Sequence, residues 1–107
     1  MRKEKSFAIK RGDTLPLLKV LIIDDMGQCY PIEGISKVVF RMFNKDFEKQ
    51  FEKPAQVVDS CTLQYCWDSE DTDRVPGIYY GEFEIWTSNG KNITVPNNGW
   101  IEIVIRG

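Results

Sequence analysis

An all-β sandwich is the fold class that this sequence predicts. Two observations carry the prediction: apolar residues recur at every second position in short stretches, and clusters of Gly, Pro, Asn and Asp interrupt those stretches. A third supports them, since no segment shows a convincing amphipathic helix. With 107 residues the chain can bury one core and has no room for a second, so residues 1–107 are read as a single domain. About seven to nine short antiparallel strands in a Greek key are expected.

Ser6-Phe7-Ala8-Ile9-Lys10 alternates with period two and stops at Arg11-Gly12-Asp13, where Gly12 can take the positive φ that a tight turn requires. Residues 17–23 form a nearly continuous apolar run between Pro16 and Asp24-Asp25-Met26-Gly27; this reads as a buried central strand at the heart of the core. In residues 37–43, Val38, Phe40 and Met42 share one face, and Lys37, Val39, Arg41 and Phe43 the other, which is expected to be only partly wet. Residues 44–53 are the most polar part of the chain and carry Phe47 and Phe51 four residues apart. One helical turn or a long hairpin tip would fit, and an irregular loop is expected there, because Lys53-Pro54 blocks helix continuation.

Two short strands follow, over residues 55–59 and 62–67, the second setting Leu63, Tyr65 and Trp67 on one face, with Trp67 a candidate core anchor. An acidic connection, Asp68 to Gly77, then leads into residues 78–86, where Tyr79, Gly81, Phe83 and Ile85 alternate with Tyr80, Glu82, Glu84 and Trp86. Asn89-Gly90 is the strongest short hairpin signal in the chain, and it precedes Asn92-Ile93-Thr94-Val95. The last strand alternates Ile101, Ile103 and Ile105 with Trp100, Glu102, Val104 and Arg106.

Composition narrows the function. Hydrophobic residues make up 42% and charged residues 28%, as in an ordinary globular protein, and the net charge is −2 with Lys and Arg scattered among acids. No basic stripe offers itself to phosphates, so nucleic acid is not an expected partner. The basic opening Met1-Arg2-Lys3-Glu4-Lys5 lacks the following apolar segment of about 7–15 residues that a secretion signal needs. The longest apolar run falls well short of the roughly 20 residues that span a bilayer, and no membrane partner is expected. The chain contains no histidine, which removes histidine-based catalysis and zinc-finger chemistry. Cys29, Cys61 and Cys66 cannot all pair within one chain, and none are spaced as a Cys-x-x-Cys; reduced thiols are expected.

Pro76-Gly77-Ile78-Tyr79 after an acidic turn has the form of the tyrosine corner of immunoglobulin-like Greek keys, with Tyr79 as the structural tyrosine. Two residues on, where antibody-type domains place their second cysteine, this chain has Gly81, so no inter-sheet disulfide is expected. Read end to end, the chain resembles the amino-terminal immunoglobulin-like domain of the phage baseplate upper protein family and related tail or fibre proteins. The matching pieces are Phe7-x-Ile9-x-x-Gly12-Asp13-Thr14-x-Pro16, Asp25-x-Gly27, Lys37-Val38-Val39-Phe40-Arg41-Met42 and Tyr65-x-Trp67-x-x-x-Asp71-Thr72. They continue with Gly77-Ile78-Tyr79-Tyr80-Gly81-Glu82-Phe83, Asn89-Gly90 and Thr94-Val95-Pro96-Asn97-x-Gly99. The resemblance implies a virion structural module made in the bacterial cytoplasm, with other tail or baseplate proteins or further copies of itself as partners. It implies no catalytic residues and no cofactor.

Asp68, Glu70, Asp71 and Asp73 offer oxygen ligands for calcium, but without the glycine and distal glutamate of an EF-hand loop they read as a solvated turn. Glu82 and Glu84 lie on one face of one strand, as solvent-facing neighbours rather than a glycosidase pair. Asn92-Ile93-Thr94 matches the N-glycosylation pattern by chance. Tyr80, Trp86 and Trp100 all fall on polar faces of their strands and form the expected interface. The same aromatics would serve a carbohydrate-binding module, the alternative reading from a different functional class.

Overall fold

A computed structural model describes residues 6–107, so the basic opening Met1-Arg2-Lys3-Glu4-Lys5 lies outside the described residues. The elements are β1 (Ser6–Lys10), β2 (Leu18–Leu21), β3 (Ile35–Phe43), β4 (Lys49–Pro54), β5 (Gln56–Asp59) and β6 (Thr62–Tyr65). A one-turn helix α1 (Ser69–Thr72) follows, and then β7 (Gly77–Thr87), β8 (Asn92–Val95) and β9 (Ile101–Arg106). Two sheets form the sandwich. The larger runs β1-β9-β7-β3-β4, with β8 also on β7, and the smaller runs β2-β6-β5.

Every ladder is antiparallel except that between β1 and β9. The orders β9-β7-β3-β4 and β2-β6-β5 reproduce G-F-C-C′ and B-E-D of an immunoglobulin sandwich, with β1 on the G edge. β7 carries β3 along one edge; on its other edge β9 pairs with Gly77 to Gly81 and β8 with Phe83 to Trp86. β8 and β9 are thus one strand in two pieces, separated by the insertion that ends in Asn97-Asn98-Gly99-Trp100.

The core is the set of alternate residues that the period-two pattern places inward. Phe40, Met42, Leu63, Phe83, Ile85 and Ile103 are wholly buried, and Ile9, Ile101, Ile105, Tyr65 and Trp67 nearly so. Phe40 is the hub. Its ring contacts those of Phe51, Tyr65, Trp67 and Phe83 at centroid distances of 5.9, 4.8, 5.7 and 5.0 Å. Gly81 makes room for it, because a Cβ there would stand 2.8 Å from two Phe40 ring atoms. A ring against a glycine therefore occupies the place of the antibody-type cysteine. The Tyr79 hydroxyl donates to the Val75 carbonyl at 2.7 Å and ties the start of β7 to the preceding turn.

Four expectations need correction. Residues 17–23 do not form a central strand: β2 is an edge, with Leu18 and Ile22 inward but Lys19, Leu21 and Ile23 exposed. Residues 44–53 are not an irregular loop but the tip and second strand of a hairpin. Asn44 Oδ1 accepts from the backbone N–H groups of Asp46 and Glu48, both at 2.9 Å, and closes the turn. The polarity that disguised β4 is that of an edge strand, where Pro54 is also tolerated.

The cysteines are not all reduced. Cys29 and Cys61 form a disulfide across a Cα–Cα distance of 5.9 Å, and Cys66 is free and exposed. The residues after β2 turn back to pair with it, as the Ile23–Cys29 bridge shows, while Ile22 N–H donates to Cys61 C=O at 2.7 Å. That fold-back brings together cysteines 32 residues apart, at one end of the smaller sheet and not between the sheets.

The acidic connection, finally, is a solvated turn only in part: the side chains of Asp68, Glu70 and Asp73 are exposed, but that of Asp71 is not. α1 carries a capping box between Asp68 and Asp71, and Asp71 and Thr72 are buried. Asp71 accepts from the Tyr65 hydroxyl at 2.6 Å, the Asp68 N–H at 2.8 Å and the Lys53 ammonium at 2.8 Å. Burial and then the adjacent Asp71 carboxylate push the Tyr65 hydroxyl above its ordinary pKa. Thr72 Oγ1 donates to the Asp13 carbonyl at 2.8 Å, and the helix so plugs one end of the sandwich.

Candidate functional site

The outward residues of β3, β7 and β9 form a face that the smaller sheet does not cover, and its two ends differ. At one end Phe43 lies opposite Tyr80, and Trp100 immediately precedes β9. Phe47, from the β3–β4 turn, folds over them. Its ring stacks on Tyr80 at 5.2 Å and 18°, and its centroid is 5.5 Å from that of Trp100, which meets Phe43 edge-on at 5.2 Å. Phe47 is 54% exposed and Trp100 36%, so the group presents an open aromatic surface.

Phe47 holds this place at a cost. Its φ is 61°, and it is the non-glycine residue of positive φ among the described residues. Hairpin turns of this length normally put Gly or Asn in the left-handed position, and a bulky side chain there costs about 1–2 kcal/mol.

The other end of the face is separate. Trp86 lies six residues along β7 from Tyr80, about 20 Å in an extended strand, so Tyr80, Trp86 and Trp100 do not form one strip. Trp86 is half-buried, with the Lys37 ammonium 4.8 Å from its ring centre. The structure brings Tyr80 and Trp100 together and leaves Trp86 outside; it adds Phe43 and Phe47, which alternation alone did not assign to the interface. The signal for Phe47 was present in the Asn44 side chain, whose spacing to Glu48 suits a hairpin cap.

Between the two ends lies a charge cluster. Arg41 Nε donates to Glu52 at 2.8 Å, Nη1 to Glu82 at 3.1 Å and Nη2 to Glu84, while the Asn92 amide donates to Glu84 at 2.7 Å. Glu82 and Glu84 are therefore not free solvent-facing neighbours: their side chains are 17% and 14% exposed. The hydrogen bond from Arg41 holds both Glu84 and Glu52 below the usual carboxylate range, assisted at Glu52 by Lys49 and at Glu84 by Asn92. Burial alone would lower the Arg41 pKa, but the three carboxylates outweigh it and hold the guanidinium above its ordinary value. A glycosidase acid requires a raised carboxyl pKa, the reverse of Glu84.

Asp68, Glu70 and Asp71 do converge, as a calcium site would require. The Lys53 ammonium already lies among them, at 3.3, 3.1 and 2.8 Å, and hydrogen bonding to Asp71 before the others raises its pKa. Asp73 is directed elsewhere, to Arg11 at 2.9 Å. No helix among the described residues is long and apolar enough to cross a membrane.

Fold and surface together define an immunoglobulin-like β-sandwich that displays an aromatic patch beside a half-buried charge cluster. No protein-family model matches the chain, and no curated protein does. Among solved structures, CopC from Methylosinus trichosporium OB3b aligns with a TM-score of 0.54 at 13% identity, over 96% of this chain and 85% of that one. At this identity the likeness is one of fold.

Proposed function

We propose that the domain is a non-catalytic interaction module of a phage or prophage tail, and that it docks a tail or baseplate protein through Phe43, Phe47, Tyr80 and Trp100. The observation that carries the docking surface is Phe47, an exposed aromatic ring held in a left-handed turn and stacked on a second aromatic. Rigid aromatics with few rotatable bonds are the side chains that dominate protein interfaces. The tail assignment is supported by the order of matching pieces along the chain, from Gly12-Asp13-Thr14 to Pro96-Asn97-x-Gly99. A disulfide suits a particle that leaves the reducing cytoplasm in which it is made.

Antibodies raised against the domain should label purified tails of the phage or prophage that encodes it; unlabelled particles would remove the virion assignment. The carbohydrate alternative uses the same rings, and isothermal titration against cell-wall and capsular glycans separates the two. Binding at about millimolar Kd or tighter, lost in Trp100→Ala, would replace protein docking by glycan recognition.

A further inference from the structure

The apolar run of residues 17–23 carries Leu21 and Ile23 onto the outward side of a strand that has a neighbour on one side only. Ile22 N–H donates to Cys61 C=O at 2.7 Å, Ile22 C=O accepts from Tyr30 N–H at 2.9 Å, and Asp24 N–H donates to Gln28 C=O at 2.8 Å. The even-numbered backbone groups thus face β6 and the fold-back beyond it. By alternation, those of Lys19, Leu21 and Ile23 face the opposite edge, which no strand among the described residues covers.

This is the edge that strand A covers in a sandwich of order A-B-E-D. Leu21 and Ile23 are 56% and 39% exposed beside it. Three other rims, those of β4, β5 and β8, are blunted. β4 carries Lys49, Lys53 and Pro54, β5 is irregular between Val57 and Asp59, and β8 runs into Pro96. β2 has the single charge of Lys19.

We propose that a second copy of this chain lies along this edge: two β2 edges pair antiparallel about a two-fold axis at Leu21 and join two three-stranded sheets into one. The charges select this occupant. Lys19 stands at the start of the exposed edge and Asp24 and Asp25 at its end. Antiparallel pairing about Leu21 sets Leu21 against its own copy and Lys19 opposite Ile23 of the second copy, next to the acidic turn that begins at Asp24 and Asp25 of the second copy. The surface is self-complementary, as an isologous contact requires. The proposal does not rest on the tail assignment.

Sedimentation equilibrium of the full chain tests it. A dimer is expected, its Kd raised at least about tenfold in Leu21→Lys, whose side chain is exposed and whose far-ultraviolet dichroism should match the parent. Lys19→Glu should weaken the dimer, and Lys19→Glu with Asp25→Lys should restore it. In Cys66→Ser/Leu21→Cys, mild oxidation should give a covalent dimer, since residues of a hydrogen-bonded antiparallel pair stand about 5.5 Å apart. A parent chain that stays monomeric at high concentration overturns the proposal. So does a dimer that tolerates Leu21→Lys but is lost in Trp100→Ala, which would move the contact to the aromatic patch.

Discussion

The two sheets share one core but are held in different ways. In the larger sheet β7 is eleven residues long, is paired along both edges, and contributes the wholly buried Phe83 and Ile85. Its outer face has area enough for the Arg41 cluster and the aromatic patch. The smaller sheet has three strands of four residues each, and β5 is exposed throughout. Such short strands supply few ladder bonds and one inward row, so the disulfide at its end takes a share of the stability that the larger sheet draws from pairing and packing. Extent of pairing decides which sheet has surface to spare for display and which requires a covalent link.

The largest test of this contrast is removal of the link. Cys29→Ser/Cys61→Ser reopens a loop of 32 residues and should cost about 3–4 kcal/mol in urea-induced unfolding on the chain-entropy estimate. A loss below about 1 kcal/mol would mean that the smaller sheet holds itself together and that the contrast fails.

A middle-sized effect is expected on the outer face of the larger sheet. Arg41→Ala leaves Glu82 and Glu84 without their counter-charge and should cost on the order of 1–2 kcal/mol near neutral pH, between the values for exposed and buried pairs. The pH dependence carries the sign. In the parent, Glu52 and Glu84 have folded pKa values below the ordinary 4.5, so their contribution is present above that value and is lost as pH falls through the folded pKa. In Arg41→Ala the carboxylates repel one another, and stability should rise as pH is lowered from about 7 to 5. Urea midpoints at pH 7 and 5 should be nearly equal in the parent, where the loss sets in only below about 4.5, and higher at pH 5 in the variant; a variant as flat as the parent would remove the repulsion.

The smallest effect sharpens the account of the aromatic patch. Phe47→Gly and Phe47→Ala both remove the ring, but only glycine relaxes the left-handed backbone. The glycine variant should be the more stable of the two by about 1 kcal/mol, read from thermal unfolding. Equal stabilities would mean that the turn adjusts without strain and that Phe47 carries no conformational cost.

Much of the architecture is legible in the sequence because it follows from period-two alternation. The inward rows Val38-Phe40-Met42, Leu63-Tyr65-Trp67 and Tyr79-Gly81-Phe83-Ile85 are buried as the pattern requires, and Asn89-Gly90 turns β7 into β8. What the pattern does not contain is lateral order. A strand of residues 17–23 looks the same at a rim as at a centre, so β2 misled. Cys29 and Cys61 meet only because the chain folds back after β2, and Asp71 is buried only because Lys53 and Tyr65 arrive from other strands. The candidate site suffered in the same way. Alternation sets Tyr80 and Trp86 outward on β7, but strand length separates Trp86 from Tyr80, and hairpin register brings Phe43 and Phe47 to Tyr80 and Trp100.

The parallel ladder between the first and last strands bears on how the domain carries load. β1 and β9 are joined over five residue pairs, from Ser6 with Glu102 to Lys10 with Arg106, and they run in the same direction. A pull applied through the segments before β1 and after β9 draws the two strands past each other along their length. Their hydrogen bonds then resist together, in shear, instead of parting one at a time as they would in an unzipping hairpin. Forced extension is governed by the barrier to that first rupture and not by equilibrium stability. The same sandwich would therefore be stiff toward tension at its ends and far softer toward a force that peels β4 or β5 from a rim.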